Sequence, residues 1–186
     1  AGDSVMGVAE QRGEHHLDVL MDTLAEQRQI LFFFSGYDGD LSPFFDAIAR
    51  DDSVFGLSDG GAHCGVLCDA SVPTYLMSYV ARDRAEKLPV ELIVNRMTRN
   101  TASLYGLNDR GLIAPGYLAD MNIIDFEALS LLAPEMVYDL PRNGKRLIQK
   151  ARGYTATIKR GEFTFENGIA TGTMPGRLLR GGTDCC

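Results

Sequence analysis

Apolar residues recur at spacings of three and four between Glu14 and Arg28, where Leu17, Leu20, Met21 and Leu24 alternate with polar positions. That period predicts an amphipathic helix. Ile30 to Phe34 is instead an unbroken apolar run rich in β-formers, and Ser35 to Asp40 supplies turn chemistry. A buried strand and a polar loop are expected there. Pro43 to Arg50 reads as a short helix with Phe44, Phe45 and Ile48 on one side, and Ser53 to Leu57 as a second apolar strand. A strand, helix and strand of these lengths, with strands apolar on both faces, imply a parallel sheet covered by helices. The strands of such a sheet end at a rim that carries function.

After the second strand comes the glycine-dense loop Ser58-Asp59-Gly60-Gly61-Ala62-His63-Cys64-Gly65. Two helices follow, one from about Pro73 to Ala85. The other opens at Pro89, carries Val90, Ile93, Val94, Met97 and Leu104, and stops at Gly106. Proline opens a helix at no hydrogen-bond cost and glycine closes one. Beyond Gly106 the pattern becomes that of short extended runs and tight turns. Pro115-Gly116 fits a type II turn. Tyr154 to Ile158 and Phe163 to Phe165 flank a turn at Lys159 to Glu162, and Asn167-Gly168 marks another, so two hairpins are expected. The chain thus divides into a helix-rich part over 1–106, a β part over 107–180 and a loose tail over 181–186.

Composition narrows the class. With 186 residues, 45% of them apolar, the chain can build one substantial domain, or a domain with an appendage. Its longest apolar run is far short of the roughly 20 residues that cross a bilayer, so no membrane partner is expected. The 18 basic and 25 acidic side chains leave a net charge of −7, with the cations scattered, which argues against nucleic acid. Four cysteines, Cys64, Cys68, Cys185 and Cys186, are too few for a disulfide framework, and a reducing, cytoplasmic setting is the expectation. Cys64, Cys68 and His63 fall short of the four ligands of a structural zinc site, so the thiols read as small apolar fillers.

Two candidate chemistries share one loop. Gly56-Leu57-Ser58-Asp59-Gly60 matches the nucleophile elbow of serine hydrolases, but that triad needs a histidine well downstream, and His63 is only five residues on. Asp59 is a lone carboxylate at a strand end, followed by glycines. It can hold a metal or move a proton at a barrel rim, or it can cap a turn. His63 can orient a substrate or hydrogen-bond the glycine loop. His15 and His16 open a helix among polar neighbours and read as surface or capping groups. Arg82, Arg84, Arg96 and Arg99 read as surface or helix-packing arginines, and Asp38 and Asp40 as part of a polar turn.

Three segments in order, Gly56-Leu-Ser-Asp-Gly-Gly-Ala-His63, Asp69-Ala-Ser-Val-Pro-Thr-Tyr75 and Gly111-x-Ile-x-Pro-Gly-x-x-Ala-Asp120, resemble the C-terminal part of the amidohydrolase superfamily. Within it they are most similar to the D-aminoacylase group, the N-acyl-D-amino-acid deacylases. The resemblance runs from about Gly13 to Arg180 and covers about the last third of such an enzyme. It implies an α/β fold: the C-terminal part of a metal-dependent (β/α) TIM-like barrel, followed by the C-terminal strands of a small β-sandwich domain. Ile30 to Phe34 and Val54 to Leu57 would be the last two barrel strands.

The chemistry implied is hydrolysis of the linear amide of an N-acyl-D-amino acid with zinc as cofactor. Asp59 would be both metal contact and general base and acid, and Gly60, Gly61 and His63 are the accompanying substrate-binding candidates. Metal-bound water ionises near neutral pH, and a nearby carboxylate can then act as base and acid in turn. The family's His-x-His pair, its bridging residue and its two later metal histidines have no counterpart among the three histidines of this chain. The chain alone is therefore expected to be inactive. The competing expectations are a non-catalytic module that associates with a missing barrel segment or with itself, and a serine hydrolase using Ser58.

Overall fold

A computed structural model describes residues 4–27, 40–56 and 62–179. The chain divides into two compact units between Pro43 and Phe44. Helices and strands are both well represented, so the described protein is mixed α/β.

The first unit is a helical pair. Helix α1 (Val5–Arg12) is capped by Ser4, whose Oγ accepts the Gly7 N–H at 3.0 Å, and is closed by Gly13 at φ 67°. A left-handed residue at that position is strained for any side chain with a Cβ, which is why glycine ends the helix. Helix α2 (His16–Gln27) begins two residues later than the periodicity predicts, because the His15 Nδ1 accepts the Leu17 N–H at 3.3 Å and so caps the first turn. His15 therefore does take a capping role. Ala9 and Val19 are buried, but Leu17 and Met21 remain 53% and 62% exposed. The amphipathic pattern is present, yet much of its apolar stripe is uncovered within this unit.

Helix α3 (Ser42–Ala49) leads into the second unit and buries Phe45 and Ile48 while leaving Phe44 partly exposed. The strand expected next does not form among the described residues: 53–56 lack ladder hydrogen bonds. A strand exists only against a partner, and the one expected for it, residues 30–34, lies outside the described residues. Every paired strand that is described is antiparallel.

Short 3₁₀ turns at Ala62–Gly65 and Asp69–Ser71 lead to α4 (Val72–Tyr75), which continues as a wide π-helical turn over Leu76–Asp83. In the same way α5 (Val90–Asn95) passes through a π turn at Arg96–Asn100 into α6 (Thr101–Leu104). The two helices expected over 73–85 and 89–106 are thus present. Hydroxyls bond back to carbonyls four or five residues earlier along both: Ser78 to Thr74 at 2.8 Å, Thr98 to Val94 at 2.7 Å and Thr101 to Arg96 at 2.6 Å. Such back-bonding competes with the regular helical ladder. Leu76, Val80, Ile93 and Leu129 are fully buried and form the centre of the core.

The β part holds a four-stranded sheet in the order β1 (Met121–Ile124), β6 (Tyr154–Lys159), β7 (Glu162–Glu166), β8 (Ile169–Ala170). Two further pairs join β2 (Ser130–Leu131) to β5 (Ala151–Arg152) and β3 (Glu135–Leu140) to β4 (Gly144–Ile148). The turn chemistry behaves as expected. Tyr117 donates to the Ala114 carbonyl at 3.1 Å across Pro115-Gly116, with Gly116 at φ 87°. Arg160-Gly161 and Asn167-Gly168 all have positive φ, the conformation that a two-residue hairpin turn needs to follow the strand twist. Among the described residues no helix is long and apolar enough to cross a membrane.

Candidate functional site

Ser58, Asp59, Gly60 and Gly61 lie outside the described residues, and of His63 the backbone alone is described, in the turn Ala62–Gly65. The site can therefore be built from the two segments that deliver the loop and receive it. Their anchoring is unequal.

On the incoming side, α3 ends in a corner over residues 50–53. Ser53 Oγ donates to the Arg50 carbonyl at 3.0 Å, and Arg50 makes a two-pronged pair with Asp52 at 2.8 and 2.6 Å. These are local bonds, and the Arg50–Asp52 pair is well exposed, so it contributes little to stability. The same corner receives Arg96 from the π turn after α5. Its Nη2 donates to the Arg50 carbonyl at 2.7 Å and to Asp51 Oδ1 at 3.2 Å, and its Nη1 to the Asp51 carbonyl at 3.2 Å. Carbonyls at the end of a helix have no partner within it, and a cation placed there satisfies both their lone pairs and the helix dipole.

On the outgoing side, the chain is fastened to the β part. Gly65 lies against the Lys145 backbone of β4, where an added Cβ would stand 3.7 Å from the carbonyl oxygen. Ser71 Oγ donates to Gln149 Oε1 at 2.5 Å, the Gln149 amide donates to the Leu132 carbonyl at 2.9 Å, and Thr74 Oγ1 shares a hydrogen bond with Tyr154 Oη at 2.8 Å. Two of the three resembling segments are thereby accounted for structurally. Residues 69–75 dock the helix start on the strands, and residues 111–120 form a brace. Gly111, at φ 85°, abuts Arg99 so closely that a Cβ would fall 2.8 Å from the Arg99 Cα. Asp120 accepts hydrogen bonds from Lys159 Nζ and, at 2.8 Å, from the Arg160 N–H, with Arg110 3.8 Å away. Burial pushes the Asp120 carboxyl up, but the bonds from Lys159 and Arg160 and the nearby cations outweigh this and hold it below the ordinary carboxylate range.

The thiols Cys64 and Cys68 are free and half-buried, and desolvation with the Asp69 charge pushes the Cys68 thiol up. That keeps Cys68 protonated and suits a packing role rather than a ligand. The other arginines are packing groups, as expected: Arg84 lies 3.8 Å over the Phe45 ring, and Arg82 bonds the Phe126 and Glu127 carbonyls. Arg96 is more than that, and the sequence carried the signal. It falls three residues after the buried Ile93, a charged group within an apolar stripe.

A catalytic zinc site needs about three protein ligands. Among the described residues no group of three His, Cys, Asp or Glu side chains could hold a metal ion. The described donors do not by themselves fit the expected zinc, and no chemical step is routed through it below.

The sequence model of the amidohydrolase family matches residues 7–165. An allantoinase of Deinococcus radiodurans is 34% identical over 94 residues, which cover 50% of this chain and 20% of that protein. Uncharacterised proteins of Mycobacterium tuberculosis and Mycobacterium bovis are each 27% identical over 199 residues, covering 97% of this chain and 32% of theirs. The chain thus spans a third or less of the length of the curated relatives it matches. No solved structure matches.

Proposed function

Because the chain belongs to the amidohydrolase family, we propose that it supplies the C-terminal part of a zinc-dependent N-acyl-D-amino-acid deacylase, with Asp59 as the residue that moves the proton. The observation that carries this reading is the ordered set of three segments, 56–63, 69–75 and 111–120, inside the region matched by the family. Neutral water is a poor nucleophile toward an amide, and an amine anion is a poor leaving group. A single carboxylate answers both needs: it takes a proton from the attacking water and returns it to the departing nitrogen. On this reading Gly60 and Gly61, lacking side chains, would let the backbone approach the substrate, and His63 would orient it.

The metal ligands would come from polypeptide beyond this chain, in the barrel strands that precede it in the family. On this reading the isolated chain binds into a missing barrel segment and has no turnover of its own. The similarity to an allantoinase favours a second reading, in which the complete enzyme acts on allantoin rather than on a linear N-acyl amino acid.

The test is an assay of the complete polypeptide on a panel of N-acyl-D-amino acids and on allantoin, with Asp59→Asn beside it. Asp59→Asn should lower kcat by about 100-fold or more at unchanged circular dichroism. Turnover retained in that variant removes Asp59 from the mechanism, and activity on allantoin alone selects the second reading. Labelling of Ser58 by a fluorophosphonate would instead favour the serine hydrolase.

A further inference from the structure

We infer that Arg84, with Tyr75 and Tyr79, forms a binding site for a small-molecule carboxylate. The guanidinium lies on the face of Phe45 and leaves its N–H edge free, and the two phenols supply further donors. The inference does not depend on the role proposed for Asp59.

The Arg84 side chain is 14% exposed, and its Cζ stands 3.8 Å from the centre of the buried Phe45 ring. Stacking of this kind holds a guanidinium without using any of its N–H groups. Among the described residues those groups make no hydrogen bond, and their ion pair is with Glu86 Oε2, 3.8 Å from Nη2 on a side chain 92% exposed. Arg82, Arg96 and Arg110 are covered to a similar degree, yet each bonds a carbonyl or a carboxylate. An apolar side chain would cover Phe45 with no charge to desolvate, so packing does not account for a cation here. The Arg84 nitrogens are also within reach of solvent, since the fully buried and unbonded ones among the described residues belong to Arg96 and Arg99.

The backbone gathers these groups. Tyr75 ends α4 and Tyr79 lies four residues on, in the π turn, where the two rings stack with centroids 5.2 Å apart. The Arg84 N–H donates to the Tyr79 carbonyl at 2.9 Å, and the Leu88 N–H to the Val80 carbonyl at 3.1 Å, so the base of the arginine is bonded back to the tyrosine pair. Neither phenol has a hydrogen bond among the described residues. Burial pushes the Tyr75 phenol up, Tyr79 adds to this and the Arg84 cation opposes it, which leaves a protonated donor within the field of the cation. Such a set lacks an acceptor. A carboxylate supplies one: the planar guanidinium edge takes both its oxygens, and a phenol adds a further bond. Phe44 stands edge-on to Phe45 and, like Tyr79, is partly exposed, which gives the carbon frame of such a ligand an apolar surface.

The experiment reads the site at Arg84 itself, in the complete polypeptide, by mass spectrometry of arginines modified with phenylglyoxal in the presence of benzoate. Benzoate bound elsewhere does not enter that readout. It should slow modification of Arg84 by about tenfold at saturation, with half-protection at about 1 mM, and leave the exposed Arg177 unaffected. Benzamide, of the same shape without the charge, and inorganic phosphate should protect Arg84 far less. Tyr75→Phe should raise the half-protection concentration by about threefold to tenfold. Tyr79→Phe keeps the stacked ring at a partly exposed position, and should act in the same direction even where Tyr75→Phe does not fold. The inference is overturned if phenylglyoxal does not reach Arg84, if benzamide or phosphate protects it as well as benzoate does, or if half-protection is unmoved in the folded tyrosine variants.

Discussion

The β part from Gly111 to Ala170 and the described residues on either side of the glycine loop, 50–56 and 62–75, are held by opposite means. In the β part, order is written locally: two-residue turns with positive φ join β6 to β7 and β7 to β8, and Gly116 completes the turn before β1. The residues on either side of the glycine loop have almost no such code. Side chains from far along the chain bond to the described residues on both sides: Arg96 to the corner at Arg50 and Asp51, and Gln149 and Tyr154 to Ser71 and Thr74. The difference teaches that segments without a turn code of their own are anchored by tertiary bonds, whereas a scaffold hairpin is positioned by its own turn.

The comparison can be broken where the β part itself depends on a close approach. Gly153, at φ 93°, stands so near β2 that a Cβ would lie 2.7 Å from the Leu129 Cα and 2.8 Å from the Leu129 N, both backbone atoms that cannot step aside. Gly153→Ala should cost on the order of 4 kcal/mol in chemical unfolding, the largest effect of this group. Arg96→Met, which removes the guanidinium's bonds to the Arg50 and Asp51 carbonyls, should cost about 2 kcal/mol in the same measurement. Gly168→Ala sharpens the contrast from the other side. Its φ is similarly positive at 79°, but nothing lies within 4 Å, so only the backbone conformation is penalised, by about 1 to 2 kcal/mol.

The smallest effect is the most diagnostic of electrostatics. The folded-state pKa of Asp120 lies below its unfolded value, so its contribution is complete above the unfolded pKa of about 3.9 and is lost as pH falls through the folded one. Asp120→Asn should lower stability at neutral pH by about 1 kcal/mol or less and make the melting temperature less sensitive to acid. A variant that instead melts with an unchanged acid profile would show that the pairs with Lys159 and Arg110 contribute nothing.

Much of the fold was legible before any coordinates. The helices over 73–85 and 89–106 announce themselves by a proline at the start and a sustained apolar period, and the turns at Pro115-Gly116 and Asn167-Gly168 by residues that suit left-handed backbone. The pairs β2–β5 and β3–β4 were not legible: their strands are short, and Pro134 and Pro141 interrupt the run that carries β3. The apolar stretch at 53–56 forms no strand among the described residues, and the partner expected for it, 30–34, lies outside them. Of the site, the sequence offered the loop and its carboxylate. It did not reveal that Arg96 would reach back across 45 residues to the corner before that loop.

By itself, the sequence determined the period of its helices, the sites of its tight turns and the family it belongs to. These depend on neighbours a few residues apart, whose spacing and stereochemistry are fixed by the covalent chain. Only the tertiary structure decided which face of each helix was covered, which glycines had backbone pressed against them, and which buried cation bonds the corner at Arg50 and Asp51. Those outcomes depend on hydrogen bonds and contacts between residues that only folding brings within reach, and no local pattern encodes a partner so distant.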